Sequence, residues 1–207
     1  MERYMLILKS IRRMNPELEQ TLRENVYPIT VRKNEIFQIP YARLENLYFI
    51  EKGLMRYFVR IKGSECTTEF KKEDQFIIGL KDTDAYQSEG LGIEALEDST
   101  LWVFPQNLVK DLFEKHRRFQ SHLFEIKNRD FSDWAKTEPC RRPGGGANNL
   151  LRIQNFFPNL LHRIPLHHLA EFTNTPEKRL RHLLASPIKL HGAGESRHRG
   201  KARGTTK

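Results

Sequence analysis

Between Tyr27 and Phe104 the apolar residues come in short alternating runs, and the runs are separated by residues that suit tight turns. "TVRKNEIFQIP" turns at Lys33-Asn34, "NLYFIEKGLMRYFVRIKGSECTTEF" breaks at Gly53 and at Lys62-Gly63-Ser64, and "IEALEDSTLWVF" alternates again. Alternation puts every second side chain on one face, and several short strands with tight turns close into a sandwich, barrel or jelly roll. This stretch therefore predicts an all-β unit.

The flanks read as helix. Tyr4, Ile7, Leu8 and Ile11 recur at helical spacing, and Asn15-Pro16 starts a second helix with Leu18, Leu22 and Val26 on one side. After Phe104-Pro105 one long helix carries Leu108, Leu112, His116, Phe119, Leu123 and Ile126, with Phe131 and Trp134 less regularly placed. Leu112, Phe119 and Ile126 lie seven apart. With Leu123 they form a stripe that either covers the chain's own barrel or pairs with the same helix of a second copy. "TEPCRRPGGGANN", residues 137 to 149, stops that helix, because its prolines and consecutive glycines continue a helix poorly. Further helices are expected from Leu150 to about Phe157-Pro158 and again from Ile164-Pro165.

Charge divides at the same boundary. Residues 1 to 140 hold 22 Lys+Arg against 23 Asp+Glu, whereas residues 141 to 207 hold 13 against 3. The C-terminal part carries the whole excess, and a basic face attracts polyanions by releasing their condensed counterions. The last residues, "GAGESRHRGKARGTTK", read as a solvated basic tail, yet 141 to 191 remain basic with a foldable apolar pattern. No apolar run approaches the ~18 residues of a membrane span. The opening "MERYMLILKSIRRM" is expected to be a helix rather than a signal peptide. Cys66 and Cys140 are too few for a disulfide scaffold or a four-thiolate cluster and suit a reducing cytoplasm.

"IPLHHLAEFTNTPEKRLRHLL", residues 164 to 184, has the spacing of a helix-turn-helix. Such a unit needs a small residue in its first helix, a left-handed turn and an apolar residue in its second helix, and Ala170, Asn174 and Leu180 stand at those places. Glu177, Lys178, Arg179, Arg181 and His182 then point outward from the second helix, where basic side chains take guanine edges or phosphates and glutamate accepts from cytosine. The bland reading is a two-helix corner with a solvated basic face. Thr173 stands where a larger apolar residue is usual.

The order of these parts, with "KNEIF", "LYFIEKGLMRYF", "IEALEDSTLWVF" and "RIPLHHLAEFTNTPEKRL", resembles the Crp/Fnr family of bacterial transcription regulators over about residues 5 to 190. The resemblance implies an α+β chain: an N-terminal antiparallel β-roll or jelly roll flanked by helices, a long dimerisation helix, and a C-terminal winged helix-turn-helix. It divides the chain into an effector-type domain over 1–136, a hinge over 137–149, a DNA-binding domain over 150–190 and a tail over 191–207. It implies a cytoplasmic homodimer that reads double-stranded DNA, answers to a small effector and meets RNA polymerase. Here Thr173-Asn174-Thr175-Pro176 is one residue shorter than the family's Leu-Gly-Ile-Thr-Pro. Alignment on Thr175-Pro176-Glu177 therefore shifts the second helix by one against alignment on Ala170 and Leu180. The shortened turn also leaves open an effector-binding or protein-interaction module without specific DNA readout.

Members that bind cyclic AMP hold its phosphate with an arginine and its ribose with a glutamate. In this sequence the arginine position falls at Glu89 and the glutamate position near Gly79. Within 73 to 98 the single cation is Lys81, against Glu73, Asp74, Asp82, Asp84, Glu89, Glu94, Glu97 and Asp98. A buried phosphate needs a paired cation, so the usual cassette is not expected to work. The acidic cluster reads as a solvated surface, and its spacing matches no calcium loop. All eight histidines lie at or beyond His116, which leaves no haem ligand in the roll except Cys66. No cofactor, metal site or catalytic constellation is expected, and hence no enzyme.

Overall fold

A computed structural model describes residues 2–38, 46–78, 91–141, 145–156 and 159–185. Two four-stranded antiparallel sheets face each other. Their strands are β1 (Tyr27–Val31), β2 (Ile36–Gln38), β3 (Leu47–Lys52), β4 (Leu54–Ile61), β5 (Ser64–Lys72), β6 (Phe76–Ile77), β7 (Leu91–Ala95) and β8 (Ser99–Phe104). One sheet runs β1-β8-β3-β6 and the other β2-β7-β4-β5. Alternation explains the layering. Tyr48, Ile50, Met55, Tyr57, Ile93, Leu101 and Val103 point between the sheets, and their strand neighbours point outward on either side.

The turns sit where the local sequence permits positive φ. Asn34 (φ 65) closes the β1–β2 corner, while Lys62 (φ 50) and Gly63 (φ 83) make the two-residue β4–β5 hairpin. Gly53 (φ 121) joins β3 to β4, and a Cβ there would stand 2.0 Å from Ser99 Oγ and 2.8 Å from Ser99 Cα. That site admits only glycine.

Helices cover the outer face of the first sheet. They are α1 (Arg3–Ile11), α2 (Pro16–Asn25), α3 (Gln106–Lys115) and α4 (Arg117–Thr137). Asn15 caps α2, accepting the Leu18 N–H at 3.1 Å, and Pro16 takes the first turn, where no N–H is needed. Tyr4, Met5, Leu8, Leu18 and Leu22 pack there on Phe49, Phe76 and Phe104. His122 ties α4 to the end of α1, its ring nitrogens lying 2.7 Å from the Arg118 carbonyl and 3.1 Å from that of Arg12.

The long helix differs from the sequence expectation in two ways. It is broken at His116 (φ −123, ψ 94), between α3 and α4, and the second helix starts on Arg117 and Arg118 although cations do not favour a helix N-terminus. Leu112, Phe119 and Ile126 are also consumed by the chain's own core, and Leu123 is partly buried against it. Of the two roles open to that stripe, the structure gives it the covering of the roll. The large apolar side chains left outside are Phe113 on α3 and Phe124 and Phe131 on α4, the last two 68% and 66% exposed, with Trp134 stacked on Phe131 at 5.6 Å.

After α4 a 3-10 turn, Glu138–Arg141, carries Cys140, whose thiol burial pushes up in pKa. The next helix, α5 (Gly146–Phe156), begins ahead of the expected Leu150, since its glycine serves as a helix start rather than as linker. α6 (Leu166–Thr173) and α7 (Glu177–Ala185) complete the C-terminal module. The wing and tail expected after it, residues 186–207, lie outside the described residues.

Candidate nucleic-acid interface

α5, α6 and α7 enclose one small core of Leu150, Ile153, Leu160, Ile164, Leu169, Phe172 and Leu180. Between α6 and α7 the chain turns on Asn174 (φ 47, ψ 46), whose N–H donates back to the carbonyls of Ala170 and Glu171. The Thr175 N–H reaches the Ala170 carbonyl at 3.0 Å as well. An asparagine enters this left-handed region at small cost, and a β-branched residue does not. Asn174→Val is therefore expected to lower the unfolding free energy by about 1–2 kcal/mol, with Asn174→Gly near wild type. Urea denaturation of the full chain measures it, and a valine variant as stable as wild type would refute the turn.

Thr173 is fully buried without penalty, because its hydroxyl donates to the Leu169 carbonyl at 2.7 Å and Thr175 donates to the Thr173 carbonyl at 3.1 Å. A small, hydroxyl-satisfied corner thus takes the place of a larger apolar one. Leu180 is buried against α5 and α6, while Glu177, Lys178, Arg179, Arg181 and His182 are all exposed. Among them Arg179 leans back over α5, its Nε 3.3 Å from where a Cβ on Gly146 would stand. Glu177 and Arg181 lie one turn apart at 4.0 Å, a weak exposed pair.

The module is not free of the roll. Leu54, Phe70 and Leu96, on the outer face of the β2-β7-β4-β5 sheet, join its core, and Phe70 meets Phe172 edge-on at 5.1 Å. Around this apolar contact run two sets of charges that sequence reasoning missed. Arg56 of β4, only 4% exposed, pairs with Glu65 and Glu94 and lies 3.6 Å from Glu171 of α6, while Thr67 donates to Glu171 at 2.7 Å. Arg163, just before α6, reaches Glu73 at 2.7 and 3.0 Å and also pairs with Glu97. Burial alone would raise the pKa of Glu73, but Arg163 and the Gly53 N–H hold it down to about 2. Alternation along a strand could have flagged Arg56 as pointing away from the inter-sheet core. Nothing in the sequence says what covers that side.

His168 of α6 is nearly buried in this contact, 3.5 Å from Glu171. Burial, then the nearby Arg56 and His167, lower its pKa below 6.5, against the opposing pull of Glu171. A folded pKa below the unfolded one favours the neutral ring, so its contribution is complete above pH 6.5 and is lost as pH falls from there. The melting midpoint should fall between about pH 7 and about pH 5, and His168→Gln should flatten that slope. An equal slope in the variant would contradict the assignment.

Glu89 and Gly79, the cassette positions, lie outside the described residues. The described part of the acidic cluster is solvated only in part: Asp74 and Asp98 are exposed, whereas Glu73, Glu94 and Glu97 are half-buried and engaged in ion pairs. Glu73 and Glu97 hold Arg163, Glu94 holds Arg56, Asp74 pairs with Arg3, and Asp98 accepts the Lys33 N–H at 2.9 Å. Only Glu94 is on a strand; the other four lie in the turns after β5 and between β7 and β8, where groups from elsewhere in the chain reach them. Inside the roll Lys71 is buried against Glu69 at 2.9 Å and pairs with Asp130 of α4, beside the buried Tyr57 ring. Among the described residues no group of three or more His, Cys, Asp or Glu could hold a metal ion, and no helix is long and apolar enough to cross a membrane.

No protein-family model matches the sequence, and no curated protein matches it. Solved structures do. A protein from Eubacterium rectale assigned to the Crp/Fnr family of transcriptional regulators matches with a TM-score of 0.63 at 16% identity, over 88% of this chain and 86% of its own. The chain has a Crp/Fnr-like fold. FixK2 from Bradyrhizobium japonicum is similar at a TM-score of 0.62 and 12% identity, over 77% of this chain and 82% of its own. The c-di-GMP-responsive regulator CLP from Xanthomonas campestris follows at 0.59 and 10%, over 82% and 90%. The Crp/Fnr-like architecture accounts for the roll, the long helix and the helical module in that order.

Proposed function

We propose that the protein is a homodimeric transcription regulator that reads double-stranded DNA with α7. One observation carries the proposal: a tight left-handed corner at Asn174 presents a short helix whose apolar side is buried and whose exposed side bears Lys178, Arg179 and Arg181. Residues 1–136 form the sensing and dimerising part, the following segment links it to the reader, and the reader begins at Gly146. Glu89 in place of the phosphate-binding arginine argues that cyclic AMP is not sensed through the usual cassette.

The dimer seam is best assigned to the outer side of α4. Ser121, Phe124, Asn128, Phe131 and Ala135 follow the alternating three-and-four spacing of a coiled-coil seam, opposite Phe119 and Ile126. A single asparagine within such a seam favours two strands in one register.

Selection of duplexes from a random pool by the full chain tests the reading. Enrichment of a sequence is expected, with affinity falling linearly in log–log against salt as phosphate contacts release counterions. Lys178→Ala and Arg181→Ala should each cost about 1–3 kcal/mol on the selected site and less on unrelated DNA. A pool that shows no enrichment at low salt would end the proposal.

A further inference from the structure

We propose that Arg163, together with Arg56 and Glu171, positions the reader for DNA: these residues clasp it to the outer sheet face and so set the spacing of the two α7 helices in a dimer. The inference rests on the DNA reading above.

The reader is joined to the rest of the chain in two ways. One is the covalent link after α4, whose 3-10 turn buries Cys140 in the reader's own core. The other is the docked face. Arg163 spans two turns of the roll, since Glu73 follows β5 and also accepts the Gly53 N–H at 3.0 Å, while Glu97 lies between β7 and β8. Arg56 repeats the arrangement from the roll side, meeting Glu65 and Glu94 on its own sheet and Glu171 on α6. A guanidinium held by two carboxylates is fixed in direction as well as in distance. The Phe70–Phe172 contact closes the space between the two sets.

The docked arrangement leaves Glu177, Lys178, Arg181 and His182 exposed, so docking does not cover the outward side of α7. It is compatible with reading and adds order to it. A two-fold reader must hold its recognition helices about 34 Å apart to meet successive major grooves. A clasped reader keeps that separation, and a released one loses it.

The test uses the full chain as wild type, Arg163→Ala and Glu73→Gln/Glu97→Gln, the last pair altering the roll alone. Small-angle scattering without DNA should show a larger radius of gyration in both variants. Binding to a selected duplex with two half-sites should fall about tenfold or more, and the preference for one half-site spacing should flatten, while affinity for a single half-site stays within about twofold. Unchanged scattering with unchanged spacing preference would overturn the clasp. So would an equal loss on single half-sites, which would make Arg163 a direct DNA contact. If wild type enriches no duplex, the DNA reading fails by itself, and scattering still decides whether Arg163 holds the module.

Discussion

Arg56→Ala is expected to destabilise the protein by about 3 kcal/mol, because it removes the one cation shared by carboxylates that stay partly out of water. The guanidinium touches Glu65, Glu94 and Thr67 and approaches Glu171, and it lies over the Phe58 ring at 4.5 Å. Glu94 suffers most, with its side chain only 13% exposed. Glu65 keeps Arg60 at 3.0 Å, and Glu171 keeps Thr67, so the loss sits at the lower end of what breaking a buried pair costs. Lysine is a poor substitute, since one ammonium cannot fork between two acids. Denaturant titration of Arg56→Ala and Arg56→Lys measures both, and a loss below about 1 kcal/mol for alanine would mean that water already screens these acids.

Phe124→Glu/Phe131→Glu is expected to give a folded monomer. Both rings are outside the core, so the helix and the roll should keep their melting behaviour, whereas two like charges facing their copies across a seam oppose association. Sedimentation equilibrium reads the mass directly. Affinity for a duplex with two half-sites should fall by about two to four orders of magnitude, the span by which linked sites exceed single ones. Affinity for one half-site should not change. A variant that still sediments as a dimer would place the seam elsewhere, whereas Phe119→Glu should unfold the chain rather than dissociate it.

That last contrast shows where sequence reasoning stopped. The turns were legible because particular residues demand them: Asn34, Lys62-Gly63 and Asn174 all take positive φ, and Asn15-Pro16 starts α2. The face of α4 was not, because the helix carries apolar stripes on opposite sides and periodicity does not say which one meets the roll. The break at His116 has no proline or glycine to announce it. Gly146 resembles linker by composition and becomes helix through the packing of its neighbours. The partners of Arg163 lie 66 and 90 residues away in the chain, beyond any local pattern.

The clasp also changes what a salt titration of DNA binding would count. Such a plot is ordinarily read as the number of phosphates neutralised. Salt also screens Arg163 from Glu73 and Glu97, which are carboxylates of the protein itself occupying a cation of the reader as phosphates would. Each molecule that undocks at high salt withdraws from the bound population for a reason unrelated to counterions on the duplex. The slope would then enumerate Arg163 among the DNA contacts although the partners it loses are the protein's own carboxylates, and the Glu73→Gln/Glu97→Gln chain would return the smaller number.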